Sequence, residues 1–208
     1  VSESPSIPKR TNISLYPPEF AKLRDTVLKC RLCHLCETRR QVVFGVGCID
    51  SPCVFVGEAP GEEEDRQGKP FVGRAGQLLT KLLDELGVSR NNIYITNILK
   101  CRPPNNRQPR IDEIASCVPY LVRQLDFIKP KVICALGNVA AQTLLSTQLP
   151  MKQLRGQFRE YATHNLTSKR APLIFSTFHP AYVLRNPSAE SVLRDDLKIL
   201  LNKVRLIE

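Results

Sequence analysis

A chain of 208 residues suits one domain with a full hydrophobic core, and 42% hydrophobic with 24% charged residues is the make-up of a soluble globular protein. No apolar run approaches the roughly 20 residues that span a bilayer, and no charged-then-apolar signal segment opens the sequence, so a membrane role is excluded and a cytoplasmic, nucleoid-associated location is expected. The formal net charge of +10 favours a polyanionic partner, with nucleic acid first among them; the bland alternative is that the charge serves solubility alone.

In chain order, residues 1–17 are polar, proline-bearing and non-periodic, which predicts a flexible N-terminal tail ahead of one domain over 18–208. From Pro18 to about Lys29 the pattern is helical, with prolines at the entry. Short apolar, partly β-branched runs then predict strands at Cys53–Val56, Ile93–Thr96, Val132–Leu136 and Leu173–Thr177. Amphipathic stretches predict helices near 75–86, 111–127, 138–146 and 188–205, the second of them expected to break or kink at Pro119. Strand and helix in alternation give an α/β fold, a three-layer sandwich with a parallel sheet covered by helices on both faces.

The segments after the strands are informative, because open α/β sheets bind ligands outside the carboxyl ends of their strands. The first strand runs into GEAPGEEED, the second ends in Asn97 and leads to KCRPPNNR, the third runs into LGNVAA and the fourth into HPAY. The unusual polar, glycine and proline residues thus gather along one edge.

Eight cysteines in a chain without an export signal suggest reduced thiols, metal ligands or catalysis. Cys30 and Cys33 form a C-x-x-C pair, while Cys101 and Cys117 are widely spaced. Four thiolates suit zinc or iron–sulfur chemistry, and the wide second pair mildly disfavours zinc. The plain alternative is a reduced thiol pair with two scattered core cysteines, and spacing alone leaves the two readings level. Cys53 and Cys134 lie in apolar strands and read as core thiols, whereas Cys36 and Cys48 stay open.

Taken together, CRLC at 30–33, TRRQVVFGVG at 38–47, GEAPGEEED at 57–65, GKPFVGRAG at 68–76, TNILKCRPPNNR at 96–107 and HPAYVLR at 179–185 resemble the family 4 uracil-DNA glycosylases, the iron–sulfur branch of the uracil-DNA glycosylase superfamily. The resemblance covers about residues 18–205. It implies a central four-stranded parallel sheet flanked by helices, and a [4Fe–4S] cluster on Cys30, Cys33, Cys101 and Cys117 that is structural. It implies an enzyme that flips uracil out of single- or double-stranded DNA and hydrolyses its glycosidic bond in base excision repair. A monomer is expected, since one domain suffices for the reaction.

Under that resemblance His179 donates a hydrogen bond to uracil O2 as the leaving anion forms, Asn97 reads O4 and N3–H through its amide, and Phe71 stacks on the flipped ring. Gly57 and Gly61 give close backbone approach, with Pro60 stiffening the turn, and Gly57 and Ala59 are expected to bind substrate. Glu58 and Glu64, with Asp65 behind them, are candidates to orient water, because Ala59 stands where the best-known branch has an aspartate. Gly61 stands where that branch excludes thymine with a tyrosine, a task expected to pass to Glu64. Arg185, Val183 and Leu184 resemble the loop that fills the gap left by the flipped base. Arg39, Arg40, Lys100, Arg102, Arg107 and Arg110 are candidate phosphate contacts. The rivals are a cluster-bearing DNA binder without activity, a branch that traps uracil through a histidine absent from CRPPNNRQPR, and a zinc-bound interaction module.

Overall fold

A computed structural model describes residues 16–161 and 171–207. Residues 1–15 of the expected tail lie outside the described residues. Tyr16, within the expected tail, is packed: its ring is buried edge-on against Phe20, with centroids 5.1 Å apart. Helix α1, Pro18–Leu28, starts on prolines and buries Phe20, Leu23 and Val27, a spacing that lines one helical face.

The chain then forms a short helix α2, Leu35–Thr38, and a two-residue strand β1, Val46–Gly47. Strand β2, Cys53–Gly57, leads to helices α3, Glu62–Gln67, and α4, Arg74–Glu85. Strand β3, Tyr94–Asn97, is followed by α5, Ile111–Ile128, and β4, Val132–Leu136, by α6, Asn138–Leu145, and α7, Met151–Leu154. The short strand β5, Phe158–Glu160, pairs with β6, Leu173–Thr177, after which come α8, Pro180–Arg185, and α9, Glu190–Ile207.

The strand order is β1-β3-β2-β4-β6-β5. The inner four are mutually parallel and are the four predicted from the sequence; β2 and β4 are buried at every position, as expected of strands covered on both faces. The sheet has six strands rather than four, because β1 and β5 add antiparallel edges too short to leave a periodic signal. One face carries the core built with Phe20, Tyr94, Leu121 and Ile133, the other the core built with Phe55, Leu79, Phe175 and Leu197, which makes the three layers.

Helix α5 runs through Pro119 without a break. Ala115, whose carbonyl loses its helical donor there, is exposed, as is Pro119, so the lost bond falls on the solvent side of the helix. From β2 the chain moves one way to β3 and then crosses to β4 on the other side. Such a reversal opens a crevice at the carboxyl ends of the strands.

Candidate active site and four-cysteine site

A cleft of about 450 Å³ lies at that crevice, lined by Glu58, Ala59, Gly61, Glu64, Phe71, Asn97, His179 and Arg185 among others. Its lining comes from the segments that end or follow β2, β3 and β6. Gly57 ends β2, and a Cβ there would meet Asn97 Oδ1 at 2.4 Å and Phe71 Cζ at 2.6 Å, so only glycine lets those two side chains close over the strand end. Gly137 comes after β4 at φ +91°, and a Cβ there would come 2.9 Å from His179 Cβ.

His179 comes after β6 and caps α8, its Nδ1 accepting the Ala181 N–H at 3.1 Å. An accepting Nδ1 leaves the ring proton on Nε2. Burial, aided by the Arg185 charge, lowers the imidazole to about 4, so it is neutral at physiological pH. Its ring stacks beside that of Phe71, with centroids 5.5 Å apart and planes 30° apart.

Phe71 has a left-handed backbone, φ +52°, which costs a side-chain-bearing residue roughly 1–2 kcal/mol. Two clamps hold this loop. Both Arg90 terminal nitrogens donate to its carbonyls, one to Phe71 O and the other to Pro70 O. From the opposite side Glu64 Oε1 accepts the N–H groups of Val72 at 2.9 Å and Gly73 at 2.8 Å. The other oxygen of Glu64, Oε2, fills the space a side chain on Gly61 would need, 2.8 Å from its Cβ position.

Asn97 is 2% exposed and sits on the cleft wall, yet its Oδ1 has no hydrogen-bond partner among the described residues. A buried unpaired acceptor is destabilising, and at a cleft it points to a ligand that donates. Glu58 also lines the cleft; burial raises its carboxyl above the ordinary range, against the pull of Arg185. Asp65 is buried and accepts the N–H groups of Arg40 and Gln41, which pins the 38–47 segment rather than facing the cleft.

The residues expected at DNA divide. Arg185 lines the cleft, and Leu184 and Tyr182 beside it are exposed. Val183 faces the other way, into the core, and is not free to enter a duplex; Tyr182, unflagged in the sequence, shares that surface with Leu184. Arg102 donates to Asn106 Oδ1 at 2.8 Å and stands 3.7 Å from Glu62. Arg107 lines the cleft, but both its terminal nitrogens bind the fully buried Glu113, at 2.9 and 2.5 Å. Glu113 also takes His34 Nε2 at 2.9 Å, which joins the cysteine segment to α5 and, through Arg107, to the loop after β3. Lys100 cannot be a phosphate contact: it is 1% exposed, and its Nζ donates to Thr96 Oγ1 at 2.6 Å and Asn97 O at 2.8 Å. Burial lowers it to about 7, against the thiols of Cys117 and Cys101.

Cys30, Cys33, Cys101 and Cys117 line a second cavity, walled by Val27, Leu32, Leu35 and Leu99. Neither Cys36 nor Cys48 is part of that lining, and Cys53 and Cys134 are buried in their strands. Arg39, expected at phosphate, instead donates to Cys101 Sγ at 3.1 Å and Cys30 O at 2.7 Å. The backbone N–H of Lys100 donates to Cys117 Sγ at 3.3 Å. Burial raises the Cys33, Cys101 and Cys117 thiols, so thiolates there require positive charge close by. Among the described residues no three potential ligands converge on the position of a single ion.

The family described as "Uracil DNA glycosylase superfamily" matches residues 44–203. The chain is 44% identical to a type-4 uracil-DNA glycosylase of Saccharolobus solfataricus over 85% of this chain and 82% of that one. It is 41% identical to a type-4 uracil-DNA glycosylase of Sulfurisphaera tokodaii, covering 85% and 81%. It is 46% identical to a type-4 uracil-DNA glycosylase of Thermotoga maritima, covering 80% and 83%.

Proposed function

The chain belongs to the uracil DNA glycosylase superfamily and, within it, to the type-4 uracil-DNA glycosylases, and on that premise we propose that it excises uracil from DNA by hydrolysing the bond between base and deoxyribose. The product is an abasic site, the first intermediate of base excision repair. The observation that carries the reading at residue level is the unpaired Oδ1 of Asn97.

A uracil flipped into the cleft presents N3–H as a donor and O4 as an acceptor. Asn97 Oδ1 takes the first and its Nδ2–H the second, a pairing that cytosine reverses at both positions. Phe71 gives the ring a face to stack on. As the bond from C1′ to N1 breaks, its electron pair moves onto the base, and His179 Nε2–H donates to O2, where much of the charge settles. A water adds its oxygen to C1′, and its proton passes to a carboxylate. Glu58 lies in the cleft for that role, while Glu64 has one oxygen tied to the Phe71 loop. The Glu64 Oε2 above Gly61 supports a part in excluding thymine's methyl group. Leu184, Tyr182 and Arg185 are the surface offered to the gap in the DNA.

Cys30, Cys33, Cys101 and Cys117 would hold an iron–sulfur cluster, [4Fe–4S]. The fit rests on four thiols around one apolar-walled cavity and on N–H donors at two sulfurs. When bound, the cluster supplies a cross-link between the end of α1, the loop after β3 and α5.

The test uses labelled oligonucleotides holding one uracil, single-stranded or paired with G or A, with alkali to cut abasic sites. Uracil-dependent cutting is expected, lowered by about 100-fold or more in both His179→Ala and Asn97→Ala. Absence of cutting by a folded, iron-loaded sample on all three substrates would falsify the reading.

A further inference from the structure

Arg90 is the half-buried cation whose use the catalytic reading leaves unexplained. It lies in the turn ahead of β3, with no carboxylate within ion-pair distance among the described residues. One terminal nitrogen donates to Phe71 O and, at 3.2 Å, to Thr80 Oγ1; the other donates to Pro70 O. Thr80 is anchored in turn on Gly76 O at 3.0 Å. A Cβ on Gly76 would sit 1.9 Å from Phe71 O, so α4 presses directly on the carbonyl that Arg90 holds.

Phe71 needs such support. Its backbone is left-handed, a conformation a phenylalanine leaves readily when nothing holds it. The Glu64 carboxylate fixes only the amide side, at Val72 and Gly73. The carbonyl side depends on the guanidinium, whose planar fork matches two neighbouring carbonyl oxygens. We propose that Arg90 is a positioning residue of the glycosylase, holding the Pro70 and Phe71 carbonyls so that the Phe71 ring stays beside His179 as the platform for uracil. The proposal rests on Phe71 being that platform. Arg90 is not among the residues that line the cleft, and it acts through Phe71.

A double-mutant cycle tests this. Single-turnover excision and binding of uracil-containing single-stranded DNA are measured for Arg90→Met, Phe71→Ala and the double variant, with thermal melting of each. Arg90→Met is expected to slow excision about 10- to 100-fold, the scale of a small misplacement at a reacting centre. In the Phe71→Ala background the same change is expected to cost less than about threefold, because the group it positions is gone. Arg90→Lys, which keeps the charge but not the fork, is expected to recover part of the rate and serves if Arg90→Met does not fold. Equal losses in both backgrounds overturn the proposal while leaving the platform intact. An unaffected Arg90→Met rate overturns it as well. Full activity in Phe71→Ala overturns the platform reading and the proposal with it.

Discussion

His179 is neutral because its ring is buried beside Arg185 and because its Nδ1 accepts from Ala181. Protonating Nδ1 would break that cap, so acid attacks the geometry as well as the charge. The imidazole titrates near 4 in the folded chain and near 6.5 when unfolded. Between those values the unfolded chain binds the extra proton, so this residue's contribution to stability rises with pH and is lost as pH falls from about 6.5 to about 4. Excision should therefore hold level above about pH 5, as far as this residue is concerned, and decline through about pH 4. A pH–rate profile under single-turnover conditions checks this. An acid limb centred near about 6.5 would mean a solvated imidazole. Asn97 and His179 were legible as candidates because they end or succeed strands within distinctive motifs, whereas Phe71, in the loop between α3 and α4, was singled out only through the family resemblance; all three line the cleft. Arg90 was not legible, since its partners are backbone carbonyls that carry no sequence signal. Lys100 looked like a phosphate contact inside a basic loop until its burial was seen.

At the scale of elements, the four parallel strands were read almost to the residue, since strands buried on both faces form unbroken apolar runs. The five longer helices were legible from their apolar spacing; the short helices α2, α3, α7 and α8, of four to six residues, were not, because so few residues carry no helical period. The break expected at Pro119 does not occur, since its side of α5 faces water. Val183 was misread because a six-residue helix turns successive side chains in different directions, which a linear motif hides. The close fit between strand ends makes its own prediction. Gly137→Ala adds a methyl group at positive φ, 2.9 Å from His179 Cβ. It should cost about 1–3 kcal/mol by thermal or urea melting and lower excision more than that loss of stability explains.

Across the whole molecule, the four-cysteine cavity gathers segments far apart in the chain: Cys30 and Cys33 between α1 and α2, Cys101 after β3, and Cys117 in α5. Joining such distant points removes freedom from the unfolded chain, a gain of about 4 kcal/mol for a loop of this size if the cluster acts as a disulfide does. Cys117→Ser, or removal of iron by chelation, should bleach the protein and lower its melting temperature by roughly 10 °C. A melting temperature that stays put as the colour is lost would mean that the fold does not lean on the cluster. The network of His34, Glu113 and Arg107 spans the same segments by hydrogen bonds, so some of this organisation should survive without metal.

The two edge strands, only two and three residues long, bear on how copies of the protein meet. A β-sheet edge recruits a neighbouring chain by offering a long, flat row of open peptide groups. Here β1 spans only Val46 and Gly47, and β5 brings charged Arg159 and Glu160 to the other margin. A basic protein accumulates on nucleic acid and is crowded against its own copies there. Edges this short and this charged give those copies little to zip together, so crowding along a polymer need not turn into aggregation.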